Sequence, residues 1–277
     1  MKNVTRKISG VWVLLVIACT LSLASCNNDD DDIKAKRKTY VLVHGAFQAA
    51  YSWNQVKATL EKQGHTVIAV ELPGHGKDQT DIATISMKSY AAAVATAIQA
   101  VPGKVVLVGH SMGGMVISAT AELIPEKIER LIYVGAFVPA NNQSLGELAQ
   151  TDADSQLGPL LAPASDPRLL TISDKSKTTA VFCHDATETI KQDLLDNYRD
   201  EPAGPFGEPV TLTAARFGSI TKSYVRTTAD RAIGLPLQNR MIINAGITTV
   251  QDIATGHCPH LSKATELTDI LIAMSKD

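Results

Sequence analysis

The chain has 277 residues, 45% hydrophobic and 19% charged, with a formal net charge of −2. At about 150 residues per domain this length allows one or two domains and is enough to bury a core without disulfide or metal staples. The apolar content excludes a wholly disordered chain, the ordinary 18 Gly and 12 Pro exclude a collagen-like or low-complexity body, and there is no basic field for nucleic acid.

Charge is placed unevenly. The first 25 residues hold Lys2, Arg6 and Lys7 and no acid, so the rest of the chain stands at −5. These bases precede an apolar stretch, Val11 to Ala24, broken only by Thr20 and Ser22. That is the layout of a secretory signal, and the stretch falls short of the ~20 residues a membrane-spanning helix needs. Leu23-Ala24-Ser25-Cys26 resembles the lipobox of bacterial lipoproteins. The resemblance implies cleavage before Cys26 and acylation of Cys26, with each buried methylene contributing ~0.8 kcal/mol to anchoring. Residues 27–32 read Asn-Asn-Asp-Asp-Asp-Asp, and Lys34, Lys36, Arg37 and Lys38 follow. Such blocks do not pack and are expected to form a flexible tether. The expected division is a signal peptide over 1–25, a lipidated Cys and tether over 26–38, and a folded body over 39–277. The expected location is that of an exported lipoprotein, on the outer membrane or a periplasm-facing membrane surface. The acidic run also resembles signals that send some lipoproteins to the cell surface. Cys19 leaves with the signal, Cys183 and Cys258 are expected as free thiols, and no Cys/His set has zinc spacing.

From Thr39 onward short β-branched runs alternate with helical patterns. Thr39–Val43 reads as a buried strand, and a helix over 53–63 ends at Gly64. Thr66–Val70 is the next strand. Met87, Tyr90, Ala91, Val94, Ile98 and Val101 follow a helical period until Pro102-Gly103 stops it. Lys104–Val108 is a continuous apolar strand, as a central parallel strand should be. A helix apolar nearly all round runs over 112–123, and Ile128–Val134 is a strand. Residues 140–219 then show no clear repeat, and seven of the 12 prolines fall at 139–209. A stretch this long inside a domain reads as an inserted functional element. Strand Ser223–Thr227 follows, then a helix from Pro236 to before Gly246, strand Thr249–Ile253, and a last helix with Ser262 near its cap. Six strands with helical crossovers specify a mostly parallel sheet with helices on both faces, whose reactive groups belong at the carboxyl ends of strands.

Gly109-His110-Ser111-Met112-Gly113-Gly114 follows such a strand and opens a helix. G-x-S-x-G in that setting projects a serine Oγ from a strained turn, and the helix start supplies N–H groups for an oxyanion. Serine needs a base oriented by a third group. Of seven histidines, only His257 and His260 sit between the last strand and the last helix, and position alone hardly separates them. The acid should follow a strand between Ser and His. Asp230, just after strand Ser223–Thr227, fits. Asp252 competes, but lies within a strand five residues before His257.

At these motifs the chain resembles the α/β-hydrolase superfamily, and within it the small esterases that include plant methylesterases, hydroxynitrile lyases and bacterial relatives. The resemblance spans roughly residues 39–275 and rests on Tyr40 to Ala46, Val108 to Gly114, Gly135 to Pro139, Asp230 to Ile233 and Gly256 to Ser262. It implies the α/β-hydrolase fold and places the base on His257, the acid on Asp230, and the oxyanion donors on the amides of Ala46 and Met112. It also makes 140–219 a cap over the site. Hydroxynitrile lyases carry Thr where this chain has Gly45, and Lys where it has Cys258. Those departures favour ester hydrolysis, as Ser111 in place of Asp argues against epoxide hydrolases and haloalkane dehalogenases.

The expected activity is therefore cleavage of small carboxylic esters or lactones through an acyl-enzyme on Ser111, with no metal or organic cofactor. Pocket walls are expected from Phe47, Met112, Phe137, Leu160, Leu161 and Phe182. The expected partners are a small-molecule ester and, through the N-terminal lipid, a membrane. Two other readings fit the same residues: an amidase, C–C hydrolase or hydroxynitrile-lyase-like enzyme on the same triad, and a non-catalytic ligand-binding lipoprotein. An intact Ser/His/Asp set argues against the last.

Overall fold

Alternation within the first strand decides how the body is layered. In β1 (Thr39–Val43), Tyr40 and Leu42 join one hydrophobic cluster while Val41 and Val43 join another, because successive strand side chains point to opposite faces. The computed structural model describes residues 1–2 and 37–276. Contacts divide the chain into a unit 1–36 and a unit 37–277. The expected signal peptide, Cys19, Cys26 and most of the tether lie outside the described residues.

After β1 a single 3-10 turn, Ala50–Trp53, leads into α1 (Asn54–Lys62), so the first helix starts one residue later than its sequence pattern suggests. β2 (Thr66–Val70) and α2 (Met87–Gln99) follow, the helix opened by a capping box between Ser86 and Ser89. β3 (Val105–His110) runs two residues beyond the expected end. It therefore carries Gly109 and His110, and α3 (Gly113–Leu123) begins only after Met112. β4 is Ile128–Val134.

The stretch 140–219 is well structured but in short pieces. They are α4 (Leu145–Gln150), β5 (Leu161–Pro163), β6 (Leu169–Ile172), α5 (Thr178–Phe182), α6 (Glu188–Asp196), β7 (Glu201–Pro202) and α7 (Gly204–Gly207). The three strands form an antiparallel sheet in the order β5-β6-β7. An isolated bridge between Gln143 and Val210 brings the two ends of the stretch together. The main pattern then resumes with β8 (Thr221–Thr227), α8 (Leu235–Asn244) and β9 (Thr249–Ile253). The expected last helix is two: α9 (Pro259–Ser262) and α10 (Ala264–Met274), broken where Lys263 leaves helical geometry at φ −138° and ψ 49°. Pro259, at the first position of α9, starts the earlier piece, so Ser262 ends a helix instead of capping one.

The main sheet has six parallel strands in the order β2-β1-β3-β4-β8-β9. Trp53, Val56 and Leu60 of the α1 region and Leu267, Leu271 and Met274 of α10 cover one face. The other face packs against α2, α3 and α8 and merges with apolar residues of the 140–219 stretch, among them Ile172, Val181, Phe182 and Leu194. No helix among the described residues is long and apolar enough to cross a membrane. The layering brings the carboxyl ends of β1, β3, β4, β8 and β9 to one edge, the edge the inserted stretch packs against.

Candidate active site

Ser111 sits at that edge, between β3 and α3, with φ at +54°. A β-carbon in this left-handed region is strained, and strain of this kind persists only where the surroundings over-determine it. Here glycines permit the turn. A Cβ on Gly109 would fall 2.6 Å from the Gly113 carbonyl oxygen, and one on Gly114 would fall 2.2 Å from that of Phe137. The Ser111 carbonyl accepts from Gly114 N at 3.0 Å and Phe137 N at 3.1 Å. Ser111 is 7% exposed. The amides of Ala46, after β1, and Met112, before α3, have no acceptor among the described residues.

Asp230 and His257 meet at the same edge, from the loops after β8 and β9. His257 Nδ1 lies 2.8 Å from Asp230 Oδ2, and both side chains are fully buried. Four donors meet the carboxylate: Thr227 Oγ1 at 2.7 Å and the His257 ring on Oδ2, and Ala232 N at 2.8 Å and Ile233 N at 2.9 Å on Oδ1. The two backbone donors fix the carboxylate, which in turn fixes the imidazole with Nδ1 as donor. His257 Nε2 is buried and has no partner among the described residues. Thr227 is itself gripped by Gln238, whose amide bonds its N–H and carbonyl. Neither Thr227 nor Gln238 was legible as a site residue, because nothing local in the sequence marks either.

The competing residues lie elsewhere. Asp252 forks Arg226 on the partly exposed side of the sheet, at 2.7 and 2.9 Å. His260 stacks on Trp53 with ring centroids 4.7 Å apart and bonds Gln48 Oε1 through Nε2. Burial, with His257 nearby, pushes its pKa down to about 3. His110 bonds the His257 carbonyl through Nε2 at 2.8 Å, and His44 bonds the Gly45 carbonyl through Nδ1 at 2.9 Å. Burial holds both well below the ordinary histidine range, His110 additionally through His260 and His44 through His75. They are neutral struts under the loops at 45 and 257.

A cleft of about 410 Å³ opens at Ser111. Phe47, Met112, Phe137 and Leu161 line it, as does Ala46. Leu145, Phe206 and Ser155 also line it, and nothing local in the sequence marks them. Leu160 is not part of the lining and packs against the core from a 3-10 turn. Phe182 lies instead beside His257, centroids 5.6 Å apart, and its carbonyl accepts from Cys258 N at 3.0 Å. A wider groove of about 740 Å³ between α2, α3 and residues 208–211 holds no nucleophile–base pair. Cys183 and Cys258 are both free and buried, and burial raises both thiol pKa values. His110, Cys258 and His260 bring their ligand-type atoms within 4.8 Å of one another. Gln48 occupies that cluster, donating to Cys258 Sγ and accepting from His260, so it reads as packed support beneath His257 and not as a metal cage.

Known proteins share the fold. The model of the alpha/beta hydrolase family matches residues 40–270. The chain is 30% identical over 251 residues to a chloroplastic protein of Arabidopsis thaliana called methylesterase 14, covering 86% of this chain and 72% of that one. An extracellular alpha/beta-hydrolase from a Paenibacillus species superposes with a TM-score of 0.75 at 26% identity, over 87% of this chain and all of the other. Polyneuridine aldehyde esterase shares the fold at a TM-score of 0.76 and 23% identity, over the same shares of the two chains. With a family match across nearly the whole folded body, a six-stranded parallel sheet and a strained serine at the sheet's carboxyl edge, the chain belongs to the alpha/beta hydrolase family.

Proposed function

We propose that this protein is a serine hydrolase that cleaves small, uncharged carboxylic esters, lactones among them, through an acyl-enzyme. One observation carries the reading: Asp230 holds the His257 ring with Nε2 free, at the same sheet edge as a serine kept at φ +54°. Ser111 Oγ attacks the ester carbonyl while His257 Nε2 takes its proton. Asp230 keeps the required tautomer and stabilises the imidazolium. The alcohol leaves with the proton from His257, and water repeats the attack on the acyl group. Ser111 Oγ and His257 Nε2 share no hydrogen bond here, and such bonds commonly tighten only with substrate in place. The Ala46 and Met112 amides receive the oxyanion, and loss of one such donor typically costs about 2.7–4 kcal/mol.

The lining supports an uncharged substrate. Its polar side chains are Ser111 and Ser155, and the Ser155 hydroxyl already donates to the Ala232 carbonyl. Residues 140–219 act as the cap that sets substrate choice. The esterase and methylesterase names of the relatives point the same way. Lyase chemistry fits poorly: Cys258 is a buried, high-pKa thiol, and a Cβ at Gly45 would lie 2.8 Å from Ser111 Cβ.

Purified protein is expected to hydrolyse p-nitrophenyl acetate and butyrate, and Ser111→Ala to lose that activity by about a thousandfold or more. Equal turnover by Ser111→Ala refutes the mechanism, and an inactive His260→Ala beside an active His257→Ala refutes the choice of base. The export reading rests on the bases and apolar stretch of residues 2–24, and the anchoring reading on Leu23 to Cys26. Cys26→Ala should move the protein from the membrane to the soluble fraction, and continued membrane association refutes lipidation there.

A further inference from the structure

We propose that Glu201 and His75 are positioning residues, a buried carboxylate–imidazolium latch through which the inserted segment fixes the backbone of Phe47 and hence the neighbouring Ala46 amide. The inference rests on the reading of that amide as an oxyanion donor.

Phe47 is the second non-glycine residue of the site in the left-handed region, at φ +62°. Three residues of one short stretch of the insert hold it. The Phe47 N–H donates to Glu201 Oε2 at 2.8 Å, its carbonyl accepts from Arg199 N at 3.5 Å, and its ring stacks on Tyr198 with centroids 5.5 Å apart and planes 9° apart. Ala46 and Phe47 form a turn, and the grip that holds it comes from more than 150 residues downstream, as the separation of 154 between Phe47 and Glu201 records.

The Glu201 carboxylate is 0% exposed, and an unpaired charge there would be strongly destabilising. Its partner is His75, 1% exposed, with Nε2 at 2.8 Å. The His75 Nδ1 lies 3.1 Å from the Pro73 carbonyl. Both ring nitrogens thus face acceptors, which only the doubly protonated ring satisfies as a donor at each. The other groups around the pair do not supply the compensating charge. Tyr90 OH donates to Glu201 Oε1 at 3.4 Å, His44 packs 4.7 Å from the His75 ring and accepts from Leu72 N, and Glu71 adds negative charge beside it. Burial alone would lower the His75 pKa, but the Glu201 carboxylate, with the Pro73 carbonyl and Glu71 behind it, raises the value above the ordinary one. The pair joins the turn after β2, the loop after β1, helix α2 and strand β7 at one buried point. A latch there holds the oxyanion loop only while the insert is seated.

The test uses full-length protein with p-nitrophenyl butyrate and three variants, Glu201→Gln, Glu201→Leu and His75→Gln. Gln at 201 keeps an acceptor for the Phe47 amide and Leu does not, so kcat should fall about tenfold in the first and about a hundredfold in the second, towards the loss expected for an oxyanion donor. His75→Gln should resemble Glu201→Gln, and KM should stay within about threefold throughout. A second arm needs no activity: in a Ser111→Ala background, the Phe47 amide should exchange its hydrogen at least about tenfold faster after Glu201→Leu, while amides of β4 do not change. Wild-type kcat in all three variants overturns the proposal, as does a lowered Tm with unchanged kcat, or unchanged Phe47 exchange. An inactive wild type would instead refute the ester reading, and the exchange arm would still decide whether the latch exists.

Discussion

Replacing Asp230 with Asn separates the proposed chemistry from fold stability. The native carboxylate accepts from four donors, two on each oxygen. An amide has one acceptor oxygen and one NH2 group. The Ala232 and Ile233 amides belong to the backbone and cannot turn away, so the new oxygen stays on them and the NH2 faces Thr227 Oγ1 and His257 Nδ1. The threonine hydroxyl can rotate and accept. His257 can accept only by moving its proton to Nε2, and that tautomer cannot take the Ser111 proton. The expected loss in kcat is about 10⁴, or roughly 5 kcal/mol of transition-state stabilisation at about 1.4 kcal/mol per tenfold. KM should change little, because Asp230 does not line the cleft. All four contacts remain hydrogen-bonded in the variant, so Tm should move by no more than about 4 °C, near 1 kcal/mol for a domain of this size. Steady-state hydrolysis of p-nitrophenyl butyrate beside a thermal melt measures both quantities. Activity within tenfold of wild type in a folded Asp230→Asn, or an equal loss in Asp252→Asn, would refute the reasoning.

Three further outcomes follow from local geometry. Gly45→Ala places a Cβ 2.8 Å from Ser111 Cβ and 2.9 Å from His110 Nδ1, so kcat should fall at least about tenfold with about 1–3 kcal/mol of destabilisation in urea melts; full activity would show that the loop can retreat. Thr227→Val removes one of the two donors on Asp230 Oδ2 and should lower kcat several-fold with KM unchanged, whereas no change would mean the two backbone amides suffice to hold the carboxylate. His44, His110 and His260 are buried with pKa values held below the ordinary histidine value of about 6.5, so their stabilisation is complete above about pH 6.5 and is lost as pH falls, because the unfolded chain binds protons that the native one refuses. For His260 that window runs from 6.5 down to about 3, at roughly 1 kcal/mol per pH unit, and His260→Gln should flatten the slope of urea midpoints between pH 7 and 5; parallel slopes would contradict it.

What could be read before folding was whatever the chain encodes within a few residues. Strands β1 to β4 announced themselves through short apolar runs, β8 and β9 through their place in the alternation with helices, and Ser111 through glycines that a tight strand-to-helix turn requires next to it. Asp230 was reachable because a loop after a strand is itself a local feature. His257 and His260 were not separable this way. They lie three residues apart across the start of α9, and what distinguishes them is contributed from far away: Asp230, 27 residues earlier, reaches one, and Gln48, 212 residues earlier, reaches the other. The end of β3 was misplaced for a related reason. Gly109 and His110 look like turn residues by propensity, yet they pair with Tyr133 and Val134 of β4, so tertiary pairing extends the strand past its own signal.

The insert hides its contribution most thoroughly, and the reason is physical. Its elements are too short to show a period, and its apolar residues divide between covering His257, as Phe182 does, and walling the cleft, as Leu161 and Phe206 do, with no local difference between the two roles. Its one fully buried acid, Glu201, looks in sequence like any surface glutamate before a proline. Only its partners, His75 at a separation of 126 and the Phe47 amide at 154, give it meaning. Ser111, Asp230 and His257 stand at the ends of main-sheet strands, with the insert touching the neighbouring loops through Phe182 on Cys258 and Ser155 on Ala232, whereas the conformation of Phe47 beside Ala46 is gripped from the insert at its amide, its carbonyl and its ring. The proposed triad and the proposed oxyanion loop therefore depend on the insert to different degrees. A cap variant that retains apolar lining but loses Glu201 should keep a well-formed Asp230–His257 pair and still hydrolyse slowly, the deficit lying in kcat.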